Sequence, residues 1–89
     1  MQEFRYQIEY SEESLDFLKS SPSGIRIKII RAIEQRLSTD PNHYGKPMAR
    51  EYVGYRRLRA GDWRVIYKVI ENKLIVLVID IDHRKDIYD

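Results

Sequence analysis

The segment YRRLRAGDWRVIYKVIENKLIVLVI, residues 55–79, contains the strongest structural signal in this chain. Two short polar breaks, at residues 60–62 and 71–73, divide it into three pieces of strand length. Connections this short join neighbouring antiparallel strands. The last piece, residues 74–79, is apolar at every position, which is typical of a strand buried on both faces. We therefore predict a three-stranded meander with residues 74–79 in a central strand.

The N-terminal half supplies one more strand and two helices. Residues 4–10 alternate between apolar and polar side chains, which predicts a half-buried strand. Ser11 stands at an N-cap position before an acidic turn, so a first helix begins there and ends at the turn residues 20–24. A second helix follows and ends at Asp40, because a proline comes next. Its apolar face is formed by Ile25, Ile29, Ile33 and Leu37.

The element order is therefore β-α-α-β-β-β in a single domain, residues 1–89, with an irregular loop over residues 42–54. Hairpins place the last strand beside the third, so the N-terminal strand most simply fills the other side of the last strand. We predict an α+β fold with an antiparallel four-stranded sheet in the order 1-4-3-2. Both helices cover one face, and the basic strands expose the other.

Composition excludes several classes of site. The chain has no cysteine, which rules out disulfides and thiolate metal sites and fits a reducing cytoplasm. Its two histidines, His43 and His83, are too few and too far apart to indicate a metal site. The N-terminus lacks the apolar region of a signal peptide, and no segment approaches the ~20 apolar residues of a membrane span. We expect a cytoplasmic protein without a metal or cofactor.

Positive charge is concentrated between Lys46 and Lys68. Seven basic residues against two acidic ones give this segment a charge of +5, while the whole chain carries +2. A focused cationic surface interleaved with aromatic residues suits a phosphate-rich polymer better than a small neutral metabolite. The basic residues are Lys46, Arg50, Arg56, Arg57, Arg59, Arg64 and Lys68.

Strand alternation separates these residues into two sets. Arg57 and Arg59 share one face of their predicted strand, so Arg56, on the opposite face, is the expected structural member. Trp63 and Tyr67 also share a face and are expected in the core. Structural alternatives stay open for the other basic residues. Arg64 could form an ion pair with Asp80, and the arginines of residues 56–59 could form a solvated strand edge that blocks aggregation. Lys46 could be an ordinary surface lysine. These alternatives compete with binding of a phosphate-rich polymer at each position.

Three segments together resemble the RelE/ParE superfamily of bacterial and archaeal type II toxins. They are GKPM at residues 45–48, RLRAGDWRVIY at residues 57–67 and IDHRKDIY at residues 81–88. They occur in this order on the predicted elements, and the resemblance covers nearly the whole chain. It implies the same fold and a toxin that cleaves messenger RNA, in the RelE branch within the ribosomal A site.

The resemblance also implies roles for individual residues. Arg64 corresponds to the arginine that steadies the scissile phosphate, and Arg57 to a basic residue along the RNA path. Arg84 corresponds to the arginine near the leaving oxygen, and Tyr88 to the aromatic residue that stacks on a base. His83 adds an ionisable group beside Arg84. Further RNA-binding candidates are Lys46, Tyr55, Arg59 and Lys85.

The expected chemistry is metal-independent attack of a ribose 2′-hydroxyl on its adjacent phosphate. Positioning and charge stabilisation do most of the catalysis in such a reaction, and the planar fork of arginine meets two phosphate oxygens at once. Tyr88, Trp63 or Tyr55 could each hold an unstacked base. The best-known superfamily members carry lysines on the first basic strand where this chain has Tyr55 and Arg57, so the general base stays open.

Two other functions compete with RNA cleavage. The ParE branch of the superfamily is thought to inhibit DNA gyrase without catalysis, and a toxin homologue that has lost activity would bind RNA and leave it intact. In each case the resemblance implies a cognate RelB-like antitoxin, in an assembly such as a heterotetramer. That antitoxin would cover the basic strands or displace the C-terminal tail.

Overall fold

The computed structural model describes residues 5–83, which form one mixed sheet with helices packed against it. The strands are β1 Gln7–Tyr10, β2 Lys46–Pro47, β3 Arg56–Ala60, β4 Trp63–Ile70 and β5 Ile75–His83. The helices are α1 Glu12–Ser20, α2 Ser23–Leu37 and α3 Pro41–Tyr44, with single 3-10 turns at Arg50–Tyr52 and Glu71–Lys73. Between residues 5 and 83, no helix is long and apolar enough to cross a membrane.

The sheet has five strands in the order β1-β5-β4-β3-β2, so the prediction of four strands was wrong. The additional strand, β2, pairs with β3 at the sheet edge, with Lys46 opposite Arg57. Two residues are too few to show a period in sequence, which is why the prediction assigned a loop there. The predicted order 1-4-3-2 differs from the observed order by this edge strand.

The prediction of a wholly antiparallel sheet was also wrong, because β1 runs parallel to β5 with Gln7 opposite Ile75. Tight turns fix the directions of β3, β4 and β5 relative to one another. The chain leaves β1 through α1 and α2, and a connection of that length permits either direction. Nothing in the local pattern of residues 4–10 distinguishes the two.

The core lies between the helices and one face of the sheet, which we call the helix face. The predicted apolar stripe of α2 is confirmed, since Ile29, Ile33 and Leu37 have no exposed surface. The buried apolar cluster comprises Leu18, Ile29, Ile33, Leu37, Leu58, Val65, Tyr67, Val76, Val78 and Ile81. The strand residues in this cluster follow the period of two, except across one interruption in β5.

A β-bulge causes that interruption. The pairing of β4 with β5 places Ile66 opposite Asp80 and the next residue, Tyr67, opposite Val78. Ile79 is therefore an extra residue on β5. Hydrogen bonds from α1 and the residue before it reach the backbone here: the Ser11 hydroxyl donates to the Ile79 carbonyl at 2.8 Å.

The bulge reverses the alternation of side chains for the rest of β5. Beyond Ile79, Ile81 is buried in the core and His83 lies opposite Trp63 on the helix face. Asp80 and Asp82 consequently lie on the face away from the helices. Without the extra residue, Asp80 and Asp82 would lie on the helix face, and Ile81 and His83 would lie on the opposite face.

Ser11 should contribute measurably to stability, because it caps α1 and binds the bulge. Its Oγ accepts a hydrogen bond from the Ser14 backbone N–H at 3.1 Å and donates to the Ile79 carbonyl. We expect Ser11→Ala to lower the free energy of unfolding by about 1–2 kcal/mol in urea denaturation. Ser20→Ala is the control, since its hydroxyl is exposed and bonds only carbonyls of its own helix. Equal losses in the two variants would contradict the capping role.

Candidate functional site

The sheet face away from the helices gathers the arginines that the sequence singled out. Arg57 on β3 lies between Lys46 on β2 and Ile66 on β4. Arg59 lies directly opposite Arg64. Residues paired across strands point to the same side of a sheet. The register therefore brings three arginines and a lysine from three adjacent strands onto one face.

Tyr55 and Lys68 extend this group toward the other end of the strands. The Lys68 ammonium lies 5.8 Å from the centroid of the Tyr55 ring. Sequence reasoning missed Lys68 as a site residue, although counting in twos from Arg64 along β4 would have found it. The basic face is defined by Lys46, Tyr55, Arg57, Arg59, Arg64 and Lys68.

Burial differs strongly among the basic-face residues. Arg64 is 3% exposed, while Arg57 is half-buried and Arg59 is exposed. A guanidinium removed from bulk water acts more strongly on a nearby charge than an exposed one does. The register places Asp82 directly opposite Arg64 and Asp80 diagonally from it on the same face. The alternative of an Arg64–Asp80 ion pair stays a prediction.

The structure does not bring His83 together with these arginines. The His83 ring lies edge-on to Trp63 with centroids 4.7 Å apart, and Trp63 contacts Phe17 of α1 at 5.6 Å. This aromatic cluster is on the helix face. The Nδ1 atom of His83 is buried and has no hydrogen-bond partner within residues 5–83. Trp63 therefore packs on the helix side of the sheet, as predicted from its position on the same strand face as Tyr67.

Arg56 has the structural role that strand alternation predicted. Its guanidinium donates hydrogen bonds to the carbonyls of Asn42 at 2.7 Å and Gly45 at 2.6 Å. The hydroxyl of the buried Tyr67 donates to the Pro41 carbonyl at 2.6 Å, and burial raises the pKa of that hydroxyl. These bonds fix α3 and the start of β2. They thereby set the position of the lysine beside Arg57.

Two carboxyl groups on β5 border the basic face. Asp80 lies next to Asp82 along the same face, and its carboxylate accepts a hydrogen bond from the Ile81 backbone N–H at 3.0 Å. Burial, followed by the hydrogen bond and charge of Asp82, raises the Asp80 pKa from 3.8 to about 6, with Glu13 adding to the rise. The cationic surface therefore ends at β5, where negative charge begins.

Asp80→Asn should stabilise the protein at pH 8 and leave stability unchanged near pH 3. Because the folded-state pKa lies above its ordinary value, the folded protein holds this proton more tightly than the unfolded chain. Stability therefore falls as pH rises from 3.8 to about 6 and stays lower above it. Allowing for solvent screening, we expect a gain of about 1 kcal/mol in urea denaturation at pH 8. An equal gain from Asp62→Asn, an exposed turn residue, would contradict this.

Three residues predicted from the C-terminal tail, Arg84, Lys85 and Tyr88, lie outside the described residues. Among residues 5–83 there is no group of three or more His, Cys, Asp or Glu side chains that could hold a metal ion. The described part of the candidate site is thus the basic face with its acidic border.

This chain is similar in sequence and in structure to known toxins. Residues 8–88 match the family described as the ParE toxin of type II toxin-antitoxin system, parDE. The chain is 29% identical to toxin RelG of Mycobacterium tuberculosis over 83 residues, which is 93% of this chain and 95% of RelG. Its structure is similar to the M. tuberculosis RelBE2 toxin-antitoxin complex, with a TM-score of 0.85, 25% identity, and coverage of 94% of this chain and 98% of that chain.

The isolated E. coli RelE toxin has the same fold, with a TM-score of 0.70 and 21% identity, over 88% of this chain and 83% of RelE. The match to the ParE toxin family covers nearly the whole chain, and the sheet and helices agree with those of solved RelE toxins. The chain therefore belongs to the ParE toxin family of type II toxin-antitoxin systems, within the RelE/ParE superfamily.

Proposed function

We propose that this chain is an endoribonuclease toxin that cleaves messenger RNA in the ribosomal A site without a metal ion. The observation that supports this most directly is the convergence of Arg57, Arg59 and Arg64 on one face of two adjacent strands, β3 and β4. Lys46 and Lys68 flank these arginines. A surface of this charge attracts a single-stranded phosphate backbone at long range and can bind along it.

The proposed reaction is an internal phosphoryl transfer. The ribose 2′-oxygen loses its proton and forms a bond to the adjacent phosphorus, and the bond from phosphorus to the 5′-oxygen breaks. The 5′-oxygen gains a proton, so the products are a 2′,3′-cyclic phosphate and a 5′-hydroxyl. Arg64 is assigned to the scissile phosphate, because a buried guanidinium stabilises the additional charge of the transition state most effectively.

The other assignments follow from this one. Arg57 and Arg59 guide the backbone on either side of the linkage, and Lys46 adds an ammonium beside Arg57. Arg84 at the leaving oxygen, Lys85 on the backbone and Tyr88 on a base remain the sequence-based proposals. His83 lies on the helix face, so we do not assign either proton transfer to it.

The proposed partners are the ribosome with its messenger RNA, and a cognate RelB-like antitoxin. The solved relatives include RelB–RelE complexes from E. coli, Pyrococcus horikoshii and Methanococcus jannaschii. An antitoxin that covers the basic face or displaces the tail would neutralise the toxin, and a heterotetramer is one assembly it could form. A ribosomal substrate places the activity in the cytoplasm.

Two observations favour other functions. The matched family is described by its ParE members, and the ParE branch is thought to inhibit gyrase without catalysis. Tyr55 and Arg57 also replace the lysines of the best-known RNA-cleaving members. A gyrase inhibitor or an inactive RNA-binding homologue would fit these two facts.

Primer extension on messages from a reconstituted translation reaction distinguishes the three functions. We expect cuts within the A-site codon when toxin and ribosomes are both present. The same cuts should appear when EDTA is added and free magnesium is kept at the lowest concentration at which the ribosome stays assembled. Mass spectrometry of the products should find 2′,3′-cyclic phosphate and 5′-hydroxyl ends. Intact messages or 5′-phosphate ends would refute the proposed reaction. Gyrase-dependent DNA breaks would support the ParE-like alternative.

A further inference from the structure

The aromatic residues that could stack on an RNA base do not all lie near the basic face. Trp63 is packed between Phe17 and His83 on the helix face, and Tyr67 is buried in the core. Of the aromatic residues that the sequence put forward for stacking, Tyr55 is the one that the described part of the chain places beside the arginines.

Tyr55 is held firmly at this position. Its backbone N–H donates to the Tyr52 carbonyl at 3.0 Å, and its carbonyl accepts from the Met48 N–H at 3.0 Å. The second bond continues the β2–β3 ladder by one more pair, so Met48 lies beside Tyr55 across the strands. Tyr55 as a whole is half-buried, so part of the residue is accessible while its backbone is fixed.

Lys68 completes the local arrangement. Its ammonium lies 5.8 Å from the centroid of the Tyr55 ring, within the range of a cation–π interaction. This contact places a positive charge over one face of the ring, so a stacked base would use the opposite face. An aromatic plane with an adjacent cation matches the two parts of a nucleotide, its base and its phosphate.

The distance along the strand fits the same ligand. Tyr55 precedes Arg57 by two residues, so their side chains project from the same face about 7 Å apart. This separation is comparable to the size of one nucleotide. A nucleotide whose base lies on Tyr55 would therefore present its backbone to Arg57 and the neighbouring Arg64.

We propose that Tyr55 and Lys68 form a subsite for one unpaired nucleobase of RNA, adjacent to the linkage bound by Arg57 and Arg64. This inference rests on the RNA-cleaving function proposed above and names the feature of the substrate that the described surface recognises. Stacking contributes about 1–3 kcal/mol per base and tolerates any base, because every base has a π-face. The subsite accordingly provides affinity and positioning and does not select one base.

Binding of a short single-stranded RNA that cannot be cleaved tests the subsite directly. The probe is an oligoribonucleotide with 2′-O-methyl groups, compared with versions that carry one abasic position in turn. We expect Tyr55→Ala to weaken binding about 5- to 100-fold, and Tyr55→Phe to bind within about threefold of the wild type, because phenylalanine keeps the ring. Thermal melting of each variant confirms that it is folded.

The abasic probes supply the decisive comparison. At one position, loss of the base should weaken wild-type binding about as much as Tyr55→Ala does, and should weaken Tyr55→Ala binding no further. Lys68→Ala should weaken binding more than Lys73→Ala, an exposed lysine in the turn between β4 and β5. Independent, additive losses from the abasic site and Tyr55→Ala would overturn the subsite.

The outcomes also separate this inference from the proposed function. If the wild type cuts messages and Tyr55→Ala binds the probe as tightly as the wild type, the subsite is refuted and the nuclease stands. If messages stay intact and one abasic position is coupled to Tyr55, the subsite stands and the nuclease is refuted. If the wild type does not bind the probe at any position, the subsite is refuted, and the cleavage assay with ribosomes decides the nuclease separately.

Discussion

Gly45→Ala should destabilise the protein by about 3–5 kcal/mol, a large part of the total for a domain of this size. A Cβ atom on Gly45 would lie 2.7 Å and 2.8 Å from the Cζ and Cε1 atoms of Tyr67, and closer still to its hydroxyl oxygen. That ring is 0% exposed and its hydroxyl is bonded to the Pro41 carbonyl. Relief of the clash requires displacement of the ring, which adds a lost buried hydrogen bond to the cost of overpacking.

The backbone of Gly45 does not explain such an effect by itself. Its φ of −91° is open to any residue, so the expected loss is steric. Gly24→Ala is the matched control, because nothing lies within 4 Å of the added Cβ near the start of α2. We expect that variant to be unchanged or up to about 1 kcal/mol more stable. Urea denaturation of both variants measures the difference, and similar midpoints would show that the packing around Tyr67 is looser than described.

Gly45→Ala should also reduce function in any fraction that remains folded. Gly45 immediately precedes β2, and its carbonyl accepts the hydrogen bond from Arg56 that fixes this segment. A shift there would move Lys46 away from Arg57. The close contact between Gly45 and Tyr67 is therefore a structural requirement of the basic face as well as of the core.

Arg64→Ala should lower the rate of messenger RNA cleavage about 10²- to 10³-fold, as removal of one preorganised transition-state donor does in other enzymes. In the proposed reaction the guanidinium acts on charge that develops in the transition state, so the loss should appear in the single-turnover rate constant for cleavage of ribosome-bound message. Arg64→Lys should recover only a small part, because an ammonium keeps the charge and loses the bidentate fork.

A control variant and a folding measurement are needed to interpret this result. Arg31→Ala removes an exposed arginine from α2, on the other side of the sheet, and should cleave like the wild type. Thermal melting must show that Arg64→Ala remains folded at the assay temperature, because Arg64 is nearly buried. Full cleavage activity in a folded Arg64→Ala variant would remove Arg64 from the catalytic site.

The local pattern of the sequence was sufficient for several features of the fold. Alternation within a strand depends only on neighbouring residues, so it placed Trp63 and Tyr67 on the helix face and separated Arg56 from Arg57. The fourfold spacing of α2 and the serine cap of α1 are equally local signals, and both were confirmed. These features need no information about distant parts of the chain.

Contacts between distant segments decided the rest. Strand β2 is held in place by hydrogen bonds from Arg56 and Tyr67 to the carbonyls of residues 41–45, and β1 runs parallel to β5 although its connection through two helices permits either direction. The bulge at Ile79 depends on Ser11, 68 residues away, and on the burial of Ile81. One extra residue moves every later side chain of a strand to the opposite face. Tertiary contacts alone therefore placed His83 on the helix face, away from the arginines of the basic face.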